Sequence, residues 1–232
     1  MKENGRRERI ELFGRDFGRY IAEFDRACPF SASQRNSHKT TIEMRRRLGS
    51  GVAAINDSQF LTGLRGTLVS WKVGMRGTVL VGFDKFRDSL IRNSELISGL
   101  DGLSIEDDGL DIERVASKIW ELIDELDIVV NSRGERVLAP VVSGTKTLLH
   151  ILPDLVPPMD REYTQAFFGW YNPEFQYRQE YCFKYIFRSI AMVARQVKPS
   201  LYVGTGWHTS VAKLMDSAIV GFCLAHDVKK TP

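Results

Sequence analysis

The chain is poor in the residues that announce a chemistry. Cysteine occurs three times, as Cys28, Cys182 and Cys223, with no CxxC spacing, which argues against a disulfide framework and a zinc knuckle. Reduced thiols are expected. The four histidines, His38, His150, His208 and His226, form no HxxxH or HExxH pattern, so no metal site is expected. No P-loop, Rossmann fingerprint or Gly-x-Ser-x-Gly elbow is present, and the expected cofactor complement is none. There is no run of eighteen apolar residues, and the charged start Met1 to Arg9 has no apolar signal region behind it. The expectation is a cytoplasmic protein with no membrane partner. Internal repeats, low-complexity stretches and Gly/Ser/Pro linkers are also missing. Their absence points to a single helical domain over residues 1–232, with two lobes and a cleft as a variant of the same body.

What is present is helical periodicity. With 232 residues and 43% hydrophobic content, the chain is long enough to bury a full core. Apolar residues recur three and four apart, as in Ile10, Phe13, Phe17, Tyr20, Ile21 and Phe24, and again in Ile112, Val115, Ile119, Leu122, Ile123 and Leu126. The fold class is therefore all-α in the main. Helices are predicted near 6–27, 38–55, 58–72, 80–98, 110–127, 145–152, 160–170, 174–197 and 208–226. Asp57 and Asp111 read as helix starts, and Gly134 and Gly204 as breaks. Residues 128–137 read either as a short β-hairpin around Ser132-Arg133-Gly134 or as a loop.

Charge is unevenly spread. Residues 101–127 hold ten acids against Arg114 and Lys118, a block of −8 that leaves +11 elsewhere in a chain of net charge +3. A basic remainder suits a phosphate-binding protein, although an acidic helix also serves simply as a solvated face.

The most informative stretch is Val142-Ser143-Gly144-Thr145-Lys146-Thr147-Leu148-Leu149, followed fourteen residues after Lys146 by Asp160 in Val156-Pro157-Pro158-Met159-Asp160. It pairs an amine with a carboxylate. Ser143 or Thr145 is expected to cap a helix that starts near Lys146, which would place the lysine at the positive end of the helix dipole. That field favours the free amine required for Schiff-base chemistry. Pro153, Pro157 and Pro158 keep the intervening helix short and the approach to Asp160 extended, with Asp160 opening the next helix. The plainer reading makes Lys146 a surface lysine near a turn and Asp160 an ordinary N-cap.

This stretch resembles the active-site segment of the helix-hairpin-helix DNA glycosylases, and most nearly the 8-oxoguanine DNA glycosylases, whose turn also reads Gly-Thr-Lys. The resemblance covers about twenty of the 232 residues. It implies a glycosylase body with residues 136–170 as its hairpin and catalytic segment. It also implies that Lys146 attacks the sugar of an extruded nucleotide while Asp160 assists, and that the resulting imine supports β-elimination. The partner would be double-stranded DNA carrying a flipped damaged or modified base, in repair or in removal of modified bases from foreign DNA such as phage genomes. Three departures stand out. The first glycine of the family's Gly-x-Gly is missing, the lysine-to-aspartate spacing is shorter than is common, and Arg161-Glu162-Tyr163-Thr164 replaces the frequent Thr-His or Val-His.

Base-flipping enzymes need aromatic surfaces. Trp207, in the loop Gly204-Thr205-Gly206, and Trp71, before the basic turn that holds Arg76, are candidates for the base pocket. Phe222 resembles the family's stacking aromatic on the C-terminal helix, with a core position as its alternative. His150, one turn after Lys146, reads as a base contact or as a satisfied core residue. Ser143, Gly144, Thr145, Arg161 and Arg76 are the expected DNA contacts. Two other readings fit the same residues: a non-catalytic helical nucleic-acid-binding module, and an α-helical interaction protein. The base excised and the oligomeric state are not legible.

Overall fold

In the computed structural model, which describes residues 3–75, 77–137 and 140–228, the helical periodicity is realised in thirteen α-helices and one short sheet among the described residues. In chain order they are α1 (Glu3–Arg15), α2 (Phe17–Ala27), α3 (Ala32–Arg47), α4 (Gly51–Asn56), α5 (Ser58–Ser70), β1 (Thr78–Leu80), α6 (Phe83–Arg92), α7 (Ser94–Leu100), α8 (Ile112–Glu125), β2 (Val129–Asn131), α9 (Pro140–Ile151), α10 (Thr164–Phe168), α11 (Asn172–Tyr177), α12 (Gln179–Val197) and α13 (Val211–Ala225). The protein is mainly α. Among the described residues no helix is long and apolar enough to cross a membrane.

Helix α13 organises the packing. Its sequence is apolar nearly all round, the pattern of a helix enclosed by others, and every residue from Val211 to Cys223 is buried. Helix α2 lays Phe17, Tyr20, Ile21 and Phe24, spaced three, four and seven apart, against it. The two backbones meet at Gly221, where an added Cβ would run into the Tyr20 carbonyl. Only glycine fits that crossing. Elsewhere, α8 packs its apolar stripe against α12.

Several boundaries differ from the periodicity-based expectation. The single helix expected over 6–27 is two, broken at Asp16. Helix α3 begins six residues early because Ser31 and Gln34 form a capping box, with the Ser31 hydroxyl accepting from the Gln34 N–H at 3.2 Å and the Gln34 side chain accepting from the Ser31 N–H at 2.9 Å. Asp57 and Asp111 cap α5 and α8 as expected, accepting from Phe60 and Arg114 N–H groups. Residues 129–131 do form a strand, but its antiparallel partner is β1, far away in sequence. The return leg of the expected hairpin meets it at a Val130–Arg136 bridge and through the Asn131 N–H, which donates to the Glu135 carbonyl at 2.9 Å.

The acidic segment is not idle surface. Asp101 pairs with Arg45 at 2.5 Å, Glu113 with Arg188 at 2.7 Å, Asp108 with Lys198 at 3.0 Å and Asp127 with Arg92 at 3.3 Å. Part of the +11 is therefore matched locally instead of forming a free basic face.

Candidate functional site

The expected Gly-Thr-Lys turn is helix. Pro140, whose fixed φ and missing N–H suit a first helical position, starts α9 six residues before Lys146. Ser143, Gly144 and Thr145 are buried inside it, so none of the three is exposed to a phosphate, and among the described residues no phosphate-gripping hairpin leads into Lys146. Gly144 is instead a packing site, where an added Cβ would stand 3.0 Å from the Ile123 side chain on α8. The Thr145 hydroxyl donates to the Val141 carbonyl at 2.7 Å and accepts from the Met159 N–H at 2.9 Å. Lys146 lies two turns into the helix, beyond the first-turn reach of the dipole and not at the helix start where it was expected.

The same Thr145 bond does something the sequence did not reveal. It ties the residue before Lys146 to the residue before Asp160 and so brings the two candidate catalytic residues into one region. Lys146 is half-buried, its Nζ 3.4 Å from the Trp71 carbonyl oxygen and 6.0 Å from the centre of the Trp71 ring. Asp160 is half-buried too. Its Oδ1 accepts from the N–H groups of Glu162, Tyr163 and Thr164 at 3.1, 2.7 and 3.1 Å, which makes it the cap of the turn leading into α10. Its Oδ2 takes no hydrogen bond among the described residues. Arg161 is exposed on that turn, and Arg76 lies outside the described residues.

Around the amine the structure gathers rings. Trp71 caps the end of α5, donates from Nε1 to the Gln34 carbonyl at 3.3 Å, and faces His38 and His150 at 5.2 Å each. Trp207 is 7% exposed and therefore forms part of the floor, not a projecting wedge; its ring is 6.2 Å from Trp71 and 5.7 Å from His38. His150 has both ring nitrogens engaged, with Nδ1 on the Lys146 carbonyl and Nε2 on His38, so it has none left for a base. Phe222 is displaced from the pocket altogether. It packs 4.9 Å from both Tyr20 and Phe167 in the apolar core, because its side of α13 faces α2 and α10.

Two charged residues unnoticed in the sequence complete the region. Lys213 is 1% exposed and donates to Asp216 Oδ2 at 2.6 Å and to Ser217 Oγ at 3.0 Å. Its ammonium sits 4.9 Å from the Trp207 ring, 5.2 Å from Phe24 and 5.8 Å from Phe30. Burial pushes the Asp216 carboxyl above the usual carboxylate range while Lys213 opposes that, and Asp160 and Lys146 act on it with smaller effects of opposite sign. Asp216 thus lies within electrostatic reach of both Lys146 and Asp160. The signal was available: a lysine and an aspartate three apart inside an otherwise apolar helix.

Beside this region opens a cleft of about 550 Å³, bordered by Asp25, Cys28, Phe30, Arg35, Trp207 and His208. His208 Nε2 stands 3.0 Å from Asp25 Oδ1 at its rim. Trp207 and Phe30 belong both to the cleft and to the Lys213 box, so the cleft abuts the buried rings directly. Among the described residues no group of three or more His, Cys, Asp or Glu could hold a metal ion. Comparison with family models, curated proteins and solved structures finds no match to this chain.

Proposed function

We propose that the protein is a DNA glycosylase that uses the Lys146 amine as its nucleophile, with abasic-site lyase activity and with a damaged or modified base as its target. The observation that carries this reading is the bond from the Met159 N–H to the Thr145 hydroxyl, which holds the segments of Lys146 and Asp160 together, with Trp71 and Trp207 near the amine. A half-buried amine, a carboxylate with one open oxygen and flat aromatic surfaces are the parts that base excision needs.

In the proposed reaction the Lys146 nitrogen forms a bond to C1′ of the extruded nucleotide. The bond from C1′ to the base breaks, and its electron pair leaves with the base, which takes up a proton. Asp160 offsets the positive charge that develops on the sugar. Opening of the sugar ring gives an imine between Lys146 and C1′. Loss of a C2′ proton then expels the 3′ phosphate, and water hydrolyses the imine to restore the amine.

Borohydride reduction of the protein mixed with duplex DNA containing an abasic site tests the reading without knowledge of the base. The wild type is expected to give a covalent adduct that Lys146→Gln and Lys146→Arg both lose, the second because it keeps the charge but removes the amine. No adduct from the wild type, or an adduct that persists in Lys146→Arg, would end the proposal. DNA binding that survives without any adduct would favour the helical nucleic-acid-binding module, a reading supported by the three N–H groups that Asp160 already serves.

A further inference from the structure

Two histidines 112 residues apart, His38 on α3 and His150 on α9, meet in the buried region behind Lys146. Their hydrogen bonds fix where every proton lies. His150 Nδ1 is 2.8 Å from the Lys146 carbonyl oxygen, which has no proton to give, so Nδ1 is the donor. A neutral imidazole carries a single N–H, which leaves His150 Nε2 bare and able only to accept. Its partner at 2.9 Å is His38 Nδ1, which must therefore hold the proton of its own ring. His38 Nε2 is then an acceptor as well, and the Thr209 hydroxyl at 2.7 Å donates to it. Burial keeps both rings uncharged: His38 is held well below the usual histidine range, and His150 is pushed down to about 4.

The chain also touches everything that shapes the site. Trp71 packs on both imidazoles, Trp207 stacks on His38 at an interplanar angle of 21°, and the last acceptor is the carbonyl of Lys146 itself. We infer that His38 is a positioning residue of the Lys146 site, acting through a one-way chain of hydrogen bonds, Thr209 to His38 to His150 to the Lys146 carbonyl, that holds both indoles against the turn carrying the amine. The inference rests on the proposed role of Lys146. A proton added to His150 Nε2 is accommodated without opening the chain, because His38 can move its own proton from Nδ1 to Nε2 and accept at Nδ1. A proton added to His38 Nε2 only turns the Thr209 hydroxyl round. Lys213 on α13 faces both rings and Arg46 on α3 faces His38, and their positive charges oppose either protonation. Arg46 also donates to the Thr209 carbonyl, which fixes the head of the chain.

Long-range proton–nitrogen spectra of the ¹⁵N-labelled protein read the tautomers directly, with His38→Gln and His150→Gln used to assign the signals. Both rings are expected in the Nδ1–H form at pH 7.5. Thr209→Val, which removes the Thr209 hydroxyl donor to His38 Nε2, is expected to lower the borohydride adduct yield about tenfold, the scale of one unsatisfied buried acceptor, while Thr209→Ser stays within about twofold of the wild type. An Nε2–H tautomer on either ring, or an unchanged yield in Thr209→Val, would overturn the inference. The two failures can be told apart. Nδ1–H tautomers in a wild type that gives no adduct would remove the lyase reading and the positioning role with it but keep the hydrogen-bond chain, and Nε2–H tautomers in a wild type that gives one would remove the chain alone.

Discussion

One face of α13 carries Met215, Ile219 and Phe222 into an apolar cluster with Phe13, Tyr20 and Phe167, while the opposite face carries Lys213, Asp216 and Ser217 in among Phe24, Phe30 and Trp207. Both faces are buried, yet they cannot be buried for the same reason. Apolar rings gain free energy simply by leaving water, at roughly 25 cal/mol per Å². An ion pair taken out of water loses several kcal/mol of hydration per charge, and apolar residues of similar volume are often as good or better there. The first face is explained by stability. The second is not, and it is the one that adjoins Lys146, Asp160 and the imidazole chain.

Substitutions can break this contrast. Gly221→Ala, between the faces, forces α2 off α13 and is expected to cost more than about 4 kcal/mol, seen as loss of the cooperative thermal transition. Phe222→Ala is expected to cost about 3–5 kcal/mol in denaturant unfolding and to leave the borohydride adduct intact at temperatures where the variant stays folded. Lys213→Ala leaves Asp216 buried without its partner and is expected to cost a similar 3–5 kcal/mol, whereas Lys213→Met with Asp216→Leu is expected to recover most of that. If the double variant were as unstable as the single one, the polar face would be a stability device after all.

The imidazoles sharpen the comparison through pH. In the unfolded chain a histidine takes a proton near pH 6.5, but folded His150 does so only near 4. Acid therefore favours the unfolded chain: the stabilisation is complete above pH 6.5 and is lost as pH falls from 6.5 toward 4, with about 3 kcal/mol gone from His150 alone at the lower end. Denaturant midpoints measured across that range should decline, and His150→Gln should flatten the decline. The smallest effect concerns the thiols. Cys182 and Cys223 are buried, and burial, with the Asp160 charge added, pushes Cys223 up to about 12. Of the three, only half-buried Cys28, at the cleft, is expected to react quickly with a thiol reagent in the folded protein.

How much of this was readable in advance depended on sequence separation. Asp57 and Asp111 were legible as caps because the residue and the N–H it serves are neighbours. Ser31 to Gln34 and Pro140 were equally local signals, but apolar periodicity outweighed the first and Gly144, read as a turn, outweighed the second. Tertiary packing against Ile123 shows why a glycine stands in that helix. The pairing of β1 with β2 and the meeting of His38 with His150 join distant segments, and no spacing rule reaches them. Lys213 and Asp216 were visible as charges in an apolar helix. Lys146 and Asp160 were singled out from sequence, yet the Thr145 bond that joins their segments belongs to the fold.

Mass-spectrometric mapping of the borohydride adduct on abasic-site DNA would test the central claim most directly. The account predicts a single modified residue, Lys146, in the peptide that spans α9. Modification of any other amine, or none at all, would contradict it.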